Sequence, residues 1–140
     1  AALQHLEELH APTGLTNTGL KELGRFPALR RLFLGHAMIS DAGLKEIARC
    51  KQLRMLYLPD GLSDGALKEL ASMKELRELV PSVGLSDAGL KEIARIEGLQ
   101  ILYIVGLEPA VTKEGLAAFR KARPGCQVGR VRSLGWLLNG

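Results

Sequence analysis

The amino-acid sequence predicts an α/β solenoid in which a parallel β-sheet lines the concave side and α-helices cover the convex side. Two observations lead to this prediction. One sequence pattern recurs several times: residues 39–49 and 85–95 are almost identical, and residues 62–71 are closely similar to them. Leucines at one equivalent position also recur after 24, 23, 23 and 26 residues, a period typical of repeat folds: Leu20, Leu44, Leu67, Leu90 and Leu116.

A segment that precedes each of these leucines is predicted to be a β-strand. It has the form Leu-x-x-Leu-x-Leu, and in residues 32–34 and 56–58 the alternation sends leucines to one face and the middle residue to the other. Related copies predict neighbouring parallel strands. These copies begin at Leu6, Leu29, Leu53, Leu76 and Leu99.

A helix is predicted after each strand. Leu44, Ile47 and Ala48 have the spacing of the buried stripe of an amphipathic helix, and the next two repeats carry the same stripe. An aspartate follows three of the hydroxyl residues and places negative charge at the positive end of the helix. The predicted N-caps are Thr16, Ser40, Ser63, Ser86 and Thr112. A small residue before the helix leucine is predicted to let adjacent repeats pack closely: Gly19, Gly43, Ala66, Gly89 and Gly115.

The strand segment, followed by the pattern Ile39-Ser40-Asp41-Ala42-Gly43-Leu44, resembles the leucine-rich repeat family over residues 6–128. The repeats look like the short, cysteine-poor repeats of bacterial proteins, and they are similar to those that follow F-boxes in eukaryotic ubiquitin-ligase adaptors. The resemblance implies a horseshoe arc of leucine-rich repeats over residues 1–128, with residues 129–140 as a carboxyl-terminal cap or tail. It also implies the family's habit of binding other proteins.

The 140 residues have the size of one domain, and 46% apolar content with 4% aromatic residues is typical of a soluble protein with an aliphatic core. No apolar run approaches the roughly 18 residues that span a membrane, so no membrane partner is expected. Cys50 and Cys126 occupy apolar repeat positions. They are therefore predicted to be buried, reduced thiols, and they favour a cytoplasmic location.

No catalytic or metal site is predicted. His5, His10 and His36 have no cysteine or carboxylate at metal-ligand spacing, and the glycines follow the repeat rather than a nucleotide-binding motif. The Ser-Asp pairs recur because they cap helices. We therefore expect neither an enzyme nor a cofactor.

The predicted binding site lies on the concave face of the sheet. The residue between the last two strand leucines is expected to point outward, which predicts an exposed apolar and aromatic stripe: His10, Phe33, Tyr57, Val80 and Tyr103. The column two residues earlier contains Glu8, Arg31, Met55, Glu78 and Ile101. Aromatic residues, methionine and arginine are enriched at interface hot spots. We expect this face to bind a protein or peptide, with Arg31 and Glu78 setting the polarity.

Two other functions remain open. The net charge is +4, and the basic side chains after residue 116 would suit nucleic acid or an acidic surface: Arg120, Lys121, Arg123, Arg130 and Arg132. Nucleic acid is not the expected partner, because Trp136 offers the only stacking ring nearby. The chain would otherwise be a structural segment of a larger scaffold or ubiquitin-ligase-type adaptor, with oligomers forming through the open solenoid ends.

Three irregularities are expected to shape the fold. Pro81 replaces a strand leucine and removes a backbone donor, so the sheet is expected to loosen after Leu79. Residues 105–111 form a longer connection that Pro109 stiffens. Residues 134–138 are apolar enough to fold back as a cap, whereas the amino end shows no evident polar cap, as expected of a piece of a longer array.

Overall fold

The structure is a computed structural model that describes residues 2–35, 37–81, 85–105 and 110–131. The strands form a six-stranded sheet in which they are all parallel and follow one another in chain order. This confirms the predicted α/β class and the parallel sheet. The strands are β1 (Glu8–His10), β2 (Arg31–Phe33), β3 (Met55–Tyr57), β4 (Glu78–Val80), β5 (Ile101–Val105) and β6 (Gln127–Val131).

Equivalent positions of the repeats lie side by side across the sheet. The described pairing of β4 with β5 covers two residue pairs and ends at Leu79, two residues before Pro81, which has no N–H to donate. The alignment of the repeats in the sequence therefore predicts the register correctly. The central row of the sheet consists of Leu9, Leu32, Leu56, Leu79, Leu102 and Val128.

Helices connect the successive strands. The first connection contains α1 (Asn17–Leu20), which continues as a 3₁₀ helix (Lys21–Arg25), and another 3₁₀ helix (Ala2–His5) precedes β1. The later connections contain α2 (Asp41–Ala48), a 3₁₀ helix (Gly65–Ser72), α3 (Asp87–Ile93) and α4 (Lys113–Ala122).

The 3₁₀ helix of the third repeat differs from the α-helix that its apolar stripe predicts. Ser40 and Ser86 have extended backbones at the N-caps of α2 and α3, whereas the N-cap Asp64 is already helical, with φ −59° and ψ −39°. The Leu67 N–H accordingly donates to the Asp64 carbonyl at 3.2 Å, a bond between residues three apart. The buried stripe is retained, because Leu67 and Leu70 are buried.

The helices pack on one face of the sheet and enclose the main hydrophobic core. The leucines of the central row and the apolar stripes of the helices belong to one cluster, in which Leu32, Leu56 and Ile47 are 0% exposed. Cys50 and Cys126 are buried free thiols within it, as predicted. Among the residues that the structure describes, no polar or charged side chain is buried.

Side-chain hydrogen bonds join the helix N-termini of successive repeats. The Asp41 carboxylate accepts bonds from the Ser63 N–H at 2.9 Å and from its hydroxyl at 2.7 Å. Asp87 accepts the equivalent bonds from Thr112 at 2.8 and 2.5 Å. These two pairs, with Asp64–Ser86 and Asn17–Ser40, form what we call the inter-repeat ladder.

The ladder changes the role that the sequence predicts for Ser40 and Ser86, whereas the Ser63 hydroxyl accepts the Ala66 N–H at 3.2 Å as a cap does. Thr112 caps α4 as predicted, since its hydroxyl accepts the Gly115 N–H at 3.0 Å. Ser40 and Ser86 stand at the N-cap positions of α2 and α3, but their hydroxyls make no cap bond. Each hydroxyl instead bonds to the preceding repeat, because Ser40 accepts from Asn17 and Ser86 donates to a carboxylate. At these two positions, the Ser-Asp motif joins repeats rather than closing a single helix.

The ladder also accounts for the glycine before the helix leucine. A Cβ atom on Gly89 would lie 2.6 Å from Asp64 Oδ1, and one on Gly115 would meet the Asp87 carboxylate. Gly43 is in the same situation. In three of the four ladder pairs, the ladder side chain of one repeat thus lies against a glycine of the next, and the fourth pair has Ala66 at this position. This supports the predicted need for a small residue.

The last described strand crosses a domain boundary that the sequence predicts. β6 runs through Val131, past the boundary at residue 128 that separates the predicted repeat domain from the tail. The predictions for His36, for residues 106–109 and for residues 132–140 lie outside the described residues. Within the described ranges, no helix combines the length and the apolar character that crossing a bilayer requires.

Candidate binding face

The second face of the sheet carries the residues predicted to bind a partner, and we call it the aromatic face. β2 pairs with β3 so that Arg31 lies beside Met55, and Phe33 lies beside Tyr57. The same register extends to β1 and β4. In β5 it places Ile101 beside Glu78. The aromatic face therefore consists of the two predicted columns: Glu8, Arg31, Met55, Glu78 and Ile101, and His10, Phe33, Tyr57, Val80 and Tyr103.

The centre of this face is buried, so the prediction of an exposed stripe is wrong there. Phe33 is 5% exposed, Met55 2%, Tyr57 9% and Val80 0%. These side chains form a second hydrophobic cluster that is separate from the main core. Because neighbouring strands lie about 4.8 Å apart, side chains of one column cover one another. The aromatic face therefore contains a small second core with a more exposed rim.

The β1 edge of the cluster is built around His10 and Phe33. Their rings stack with centroids 4.3 Å apart and an angle of 4° between the planes. His10 Nε2 also lies 2.6 Å from Glu8 Oε1. The imidazole is thus held by a ring on one side and a carboxylate on the other, while its side chain remains 53% exposed.

Arg31 joins this edge to the centre of the cluster. Its guanidinium bonds to Glu8 Oε2 at 3.1 Å and lies 5.5 Å from the centroid of the Phe33 ring. A second guanidinium nitrogen is 3.7 Å from the Met55 sulfur. The arginine thus covers apolar side chains beneath it, which contributes to their burial, and it remains 50% exposed itself.

Tyr103 and Glu78 form the polar part of the β5 edge. The Tyr103 hydroxyl donates to Glu78 Oε1 at 3.4 Å, and the ring packs against the hydrophobic cluster. Burial, the Glu78 charge and this hydrogen bond all raise the pKa of Tyr103. Burial, followed by the charge of Asp60, raises the pKa of Tyr57. Both phenols therefore remain protonated near neutral pH and can donate hydrogen bonds.

Two residues of this region were missed by the sequence analysis. Val105 joins the second cluster and is 7% exposed. Its position two residues after Tyr103 in the same strand is the signal that could have identified it. Gly35 lies beside the Tyr57 ring, since a Cβ atom there would be 2.8 Å from Tyr57 Cε1. No pattern in the sequence distinguishes this glycine from the others.

The chemistry available on the aromatic face is hydrophobic contact, ring stacking and hydrogen bonding. In the described part of the chain, no group of three histidine, cysteine or carboxylate side chains is placed to hold a metal ion. Burial is the main cause that raises the pKa of the Cys50 and Cys126 thiols. Neither is therefore activated as a thiolate near neutral pH.

A scan of the sequence against protein-family models gave no match. A search among curated proteins also gave no similar chain. Functional inference therefore depends on the geometry of the molecule itself.

Proposed function

We propose that the chain is a leucine-rich repeat module that binds a protein or peptide segment on its aromatic face and has no catalytic role. The observation that carries the proposal is the second hydrophobic cluster around Phe33, Met55, Tyr57 and Val80. All-parallel sheets occur almost only where both faces are covered, and the main core accounts for one face. The rings of the cluster on the other face are themselves buried, so a further chain segment would bind at the exposed rim that surrounds them.

The rim of the cluster supplies the contacts. His10 and Arg31 are about half exposed, and Ile101 and Tyr103 are only partly buried. Each is held by neighbours, since His10 is stacked and Arg31 is paired with Glu8. Side chains that are already ordered lose less conformational entropy on binding, which favours a rim of this kind as an interface.

The test is peptide binding by a variant that spares the buried rings. Full-length protein is used to select binders from a displayed peptide library, and their affinities are then measured by calorimetry. The variant His10→Ser/Arg31→Ser/Tyr103→Ser removes the rim but retains Phe33 and Tyr57. Because hot-spot residues each contribute about 2 kcal/mol or more, we expect affinity to fall at least roughly tenfold.

A matched control carries three substitutions on the helices: Lys21→Ser, Lys45→Ser and Lys68→Ser. All three lysines are exposed, and the control should bind the selected peptides like the parent. Circular dichroism checks that both variants are folded. Retained affinity in the rim variant, or failure to select any peptide, would refute the proposal.

A second candidate function uses the basic carboxyl-terminal segment. Arg120, Lys121 and Arg130 are exposed, and none of them has a carboxylate within ion-pair distance among the described residues. This favours an acidic partner. The cytoplasmic location and the scaffold or adaptor role remain predictions.

A further inference from the structure

The two edges of the sheet differ in the charges that they carry. Each strand of a parallel sheet enters at the same edge, where the preceding helix ends. Arg54 and Arg77 directly precede β3 and β4 at this entry edge. Asp41 and Asp87 begin helices at the opposite edge, and hydrogen bonds to the next repeat lower the pKa of both carboxyls. The exit edge therefore carries these carboxylates, whereas the entry edge carries a row of cations, with Glu75 and Glu97 among them.

Three arginines at the entry edge are neighbours in space. The Arg54 N–H donates to the Arg30 carbonyl at 2.8 Å, and the Arg77 N–H donates to the Arg54 carbonyl at 2.8 Å. These residues therefore follow one another at the strand spacing of about 4.8 Å. Three more cations lie close to the same edge, where α2 and α4 end: Lys51, Lys121 and Arg123. We call these six residues the basic edge. Arg49, Lys74 and Arg95 also lie near this edge, but each of them is paired with a glutamate.

Within the described ranges, most charges of the basic edge have no ion-pair partner. Among the described residues, Arg77 pairs with Glu75 at 3.6 Å, and no carboxylate lies within ion-pair distance of the other five cations. The Arg77–Glu75 pair is at the surface, where such pairs contribute little. Like charges held at strand spacing repel one another, so an anion that binds there relieves repulsion as well as forming new contacts.

Three guanidinium groups of the basic edge also bond to the main chain, and that of Arg30 donates to the carbonyls of Pro27 and Leu29 at 3.4 Å. Arg77 donates to the carbonyls of Lys74 at 2.9 Å and Gly98 at 3.4 Å. Arg123 donates through Nε to the Ala94 carbonyl at 2.5 Å. Each guanidinium has five N–H donors, so donors remain for a ligand. Fixed guanidinium groups lose less entropy on binding and suit planar, bidentate anions such as carboxylates.

We propose that the basic edge is a second interaction surface, independent of the aromatic face, and that it binds an acidic protein segment rich in aspartate and glutamate. An acidic segment fits better than single-stranded nucleic acid, because binding of the latter depends on aromatic rings that stack with bases. Among the described residues of the entry edge, Phe26 supplies an aromatic ring. This ring is partly buried and packs against the main core, so it is poorly placed to stack with a base.

The test measures binding of a dye-labelled polyglutamate peptide by fluorescence anisotropy. About twelve glutamates, extended at about 3.3 Å per residue, are longer than the roughly 19 Å between β2 and β6. The variant Lys51→Glu/Arg54→Glu/Lys121→Glu spares Arg77 and Arg123, which donate to the main-chain carbonyls of Lys74 and Ala94. We expect it to lose at least roughly tenfold in affinity, and the parent to lose affinity as salt rises from about 50 to about 300 mM.

The control Lys21→Glu/Lys45→Glu/Lys68→Glu changes the net charge equally on the helices and should retain binding within about twofold. If the two variants lose affinity equally, net charge alone governs binding and the proposal fails. It also fails if the basic-edge variant binds like the parent, or if single-stranded DNA of equal charge binds more tightly than polyglutamate. Should the charge-reversed variant unfold, Lys51→Gln/Arg54→Gln/Lys121→Gln provides the same comparison.

Discussion

Gly115 and Gly65 differ in what a methyl group would contact, although both lie in the first turn of a helical segment. A Cβ atom on Gly115 would meet the Asp87 carboxylate, which two bonds to Thr112 hold in place, whereas a Cβ atom on Gly65 has nothing within 4 Å. We predict that Gly115→Ala destabilises the protein by about 1 to 3 kcal/mol through overpacking. Urea unfolding measures the change.

Gly65→Ala is the matched control for this substitution. It should stabilise the protein by about 0.4 to 1 kcal/mol, because alanine restricts the unfolded chain and fits the helical backbone. Equal unfolding midpoints for the two alanine variants would contradict the account of the ladder.

The ladder also makes a prediction about pH. Asp41 and Asp87 accept a hydroxyl and an N–H bond each, and these bonds hold the pKa of both carboxyls below the ordinary value of 3.8. The unfolded chain therefore takes up protons before the native protein does. The stabilisation is complete above pH 3.8 and is lost as the pH falls through the lowered native values.

Asn17 shows that an asparagine can form the hydrogen bonds of the ladder without a carboxyl group that titrates. Its amide accepts the Ser40 N–H at 3.1 Å and donates to the Ser40 hydroxyl at 2.7 Å. Asp41→Asn/Asp87→Asn should therefore retain the ladder, and its stability should fall less between roughly pH 5 and 3 than that of the parent. Urea unfolding over this range measures both slopes. Glu69→Gln lies outside the ladder and is the control, because it should show the same pH dependence of stability as the parent. If the stability of the double variant fell with pH as steeply as that of the parent, the ladder carboxylates would not be the cause.

At the scale of the element, β3 lies in the interior of the sheet. Leu56 pairs with Leu32 and Leu79 and is 0% exposed. Leu56→Ala should lower the free energy of unfolding by about 2 to 5 kcal/mol, because it leaves a cavity in the main core. Met38→Ala is the control, since Met38 is 74% exposed and should change stability by less than about 0.5 kcal/mol. A similar loss in both variants would show that the cavity is not the cause.

The elements also show which features local sequence can predict. The positions and the register of the strands were predictable because every repeat has the same alternation of leucines with other residues. A wrong strand assignment in one repeat would disagree with the assignments in the others. The 3₁₀ helix at Gly65–Ser72 was not predictable, because its apolar stripe is compatible with an α-helix or a 3₁₀ helix. The difference between the two lies in the backbone conformation of Asp64. The ladder was missed because Asp41 and Ser63 belong to different repeats, and their contact depends on how closely the repeats stack.

At the scale of the whole molecule, the sequence identified the aromatic face but not its exposure. Alternation places Phe33 and Tyr57 on the face away from the main core. Their burial depends on neighbours in other strands, including Arg31 over the Phe33 ring and the tilted pair that the two rings form at 6.3 Å. Composition likewise located the basic carboxyl-terminal segment, whereas the basic edge emerges only when several repeats stack in register.

The central claim is that a peptide or protein segment binds at the rim of the aromatic face. At 15.2 kDa the chain suits NMR, so amide shifts of the labelled full-length protein can be recorded with and without a selected peptide. We predict that the largest shifts fall at His10, Arg31, Ile101 and Tyr103, with little change at Lys45 and Lys68. Shifts concentrated on the helices, or at the basic edge around Arg54, would contradict the claim.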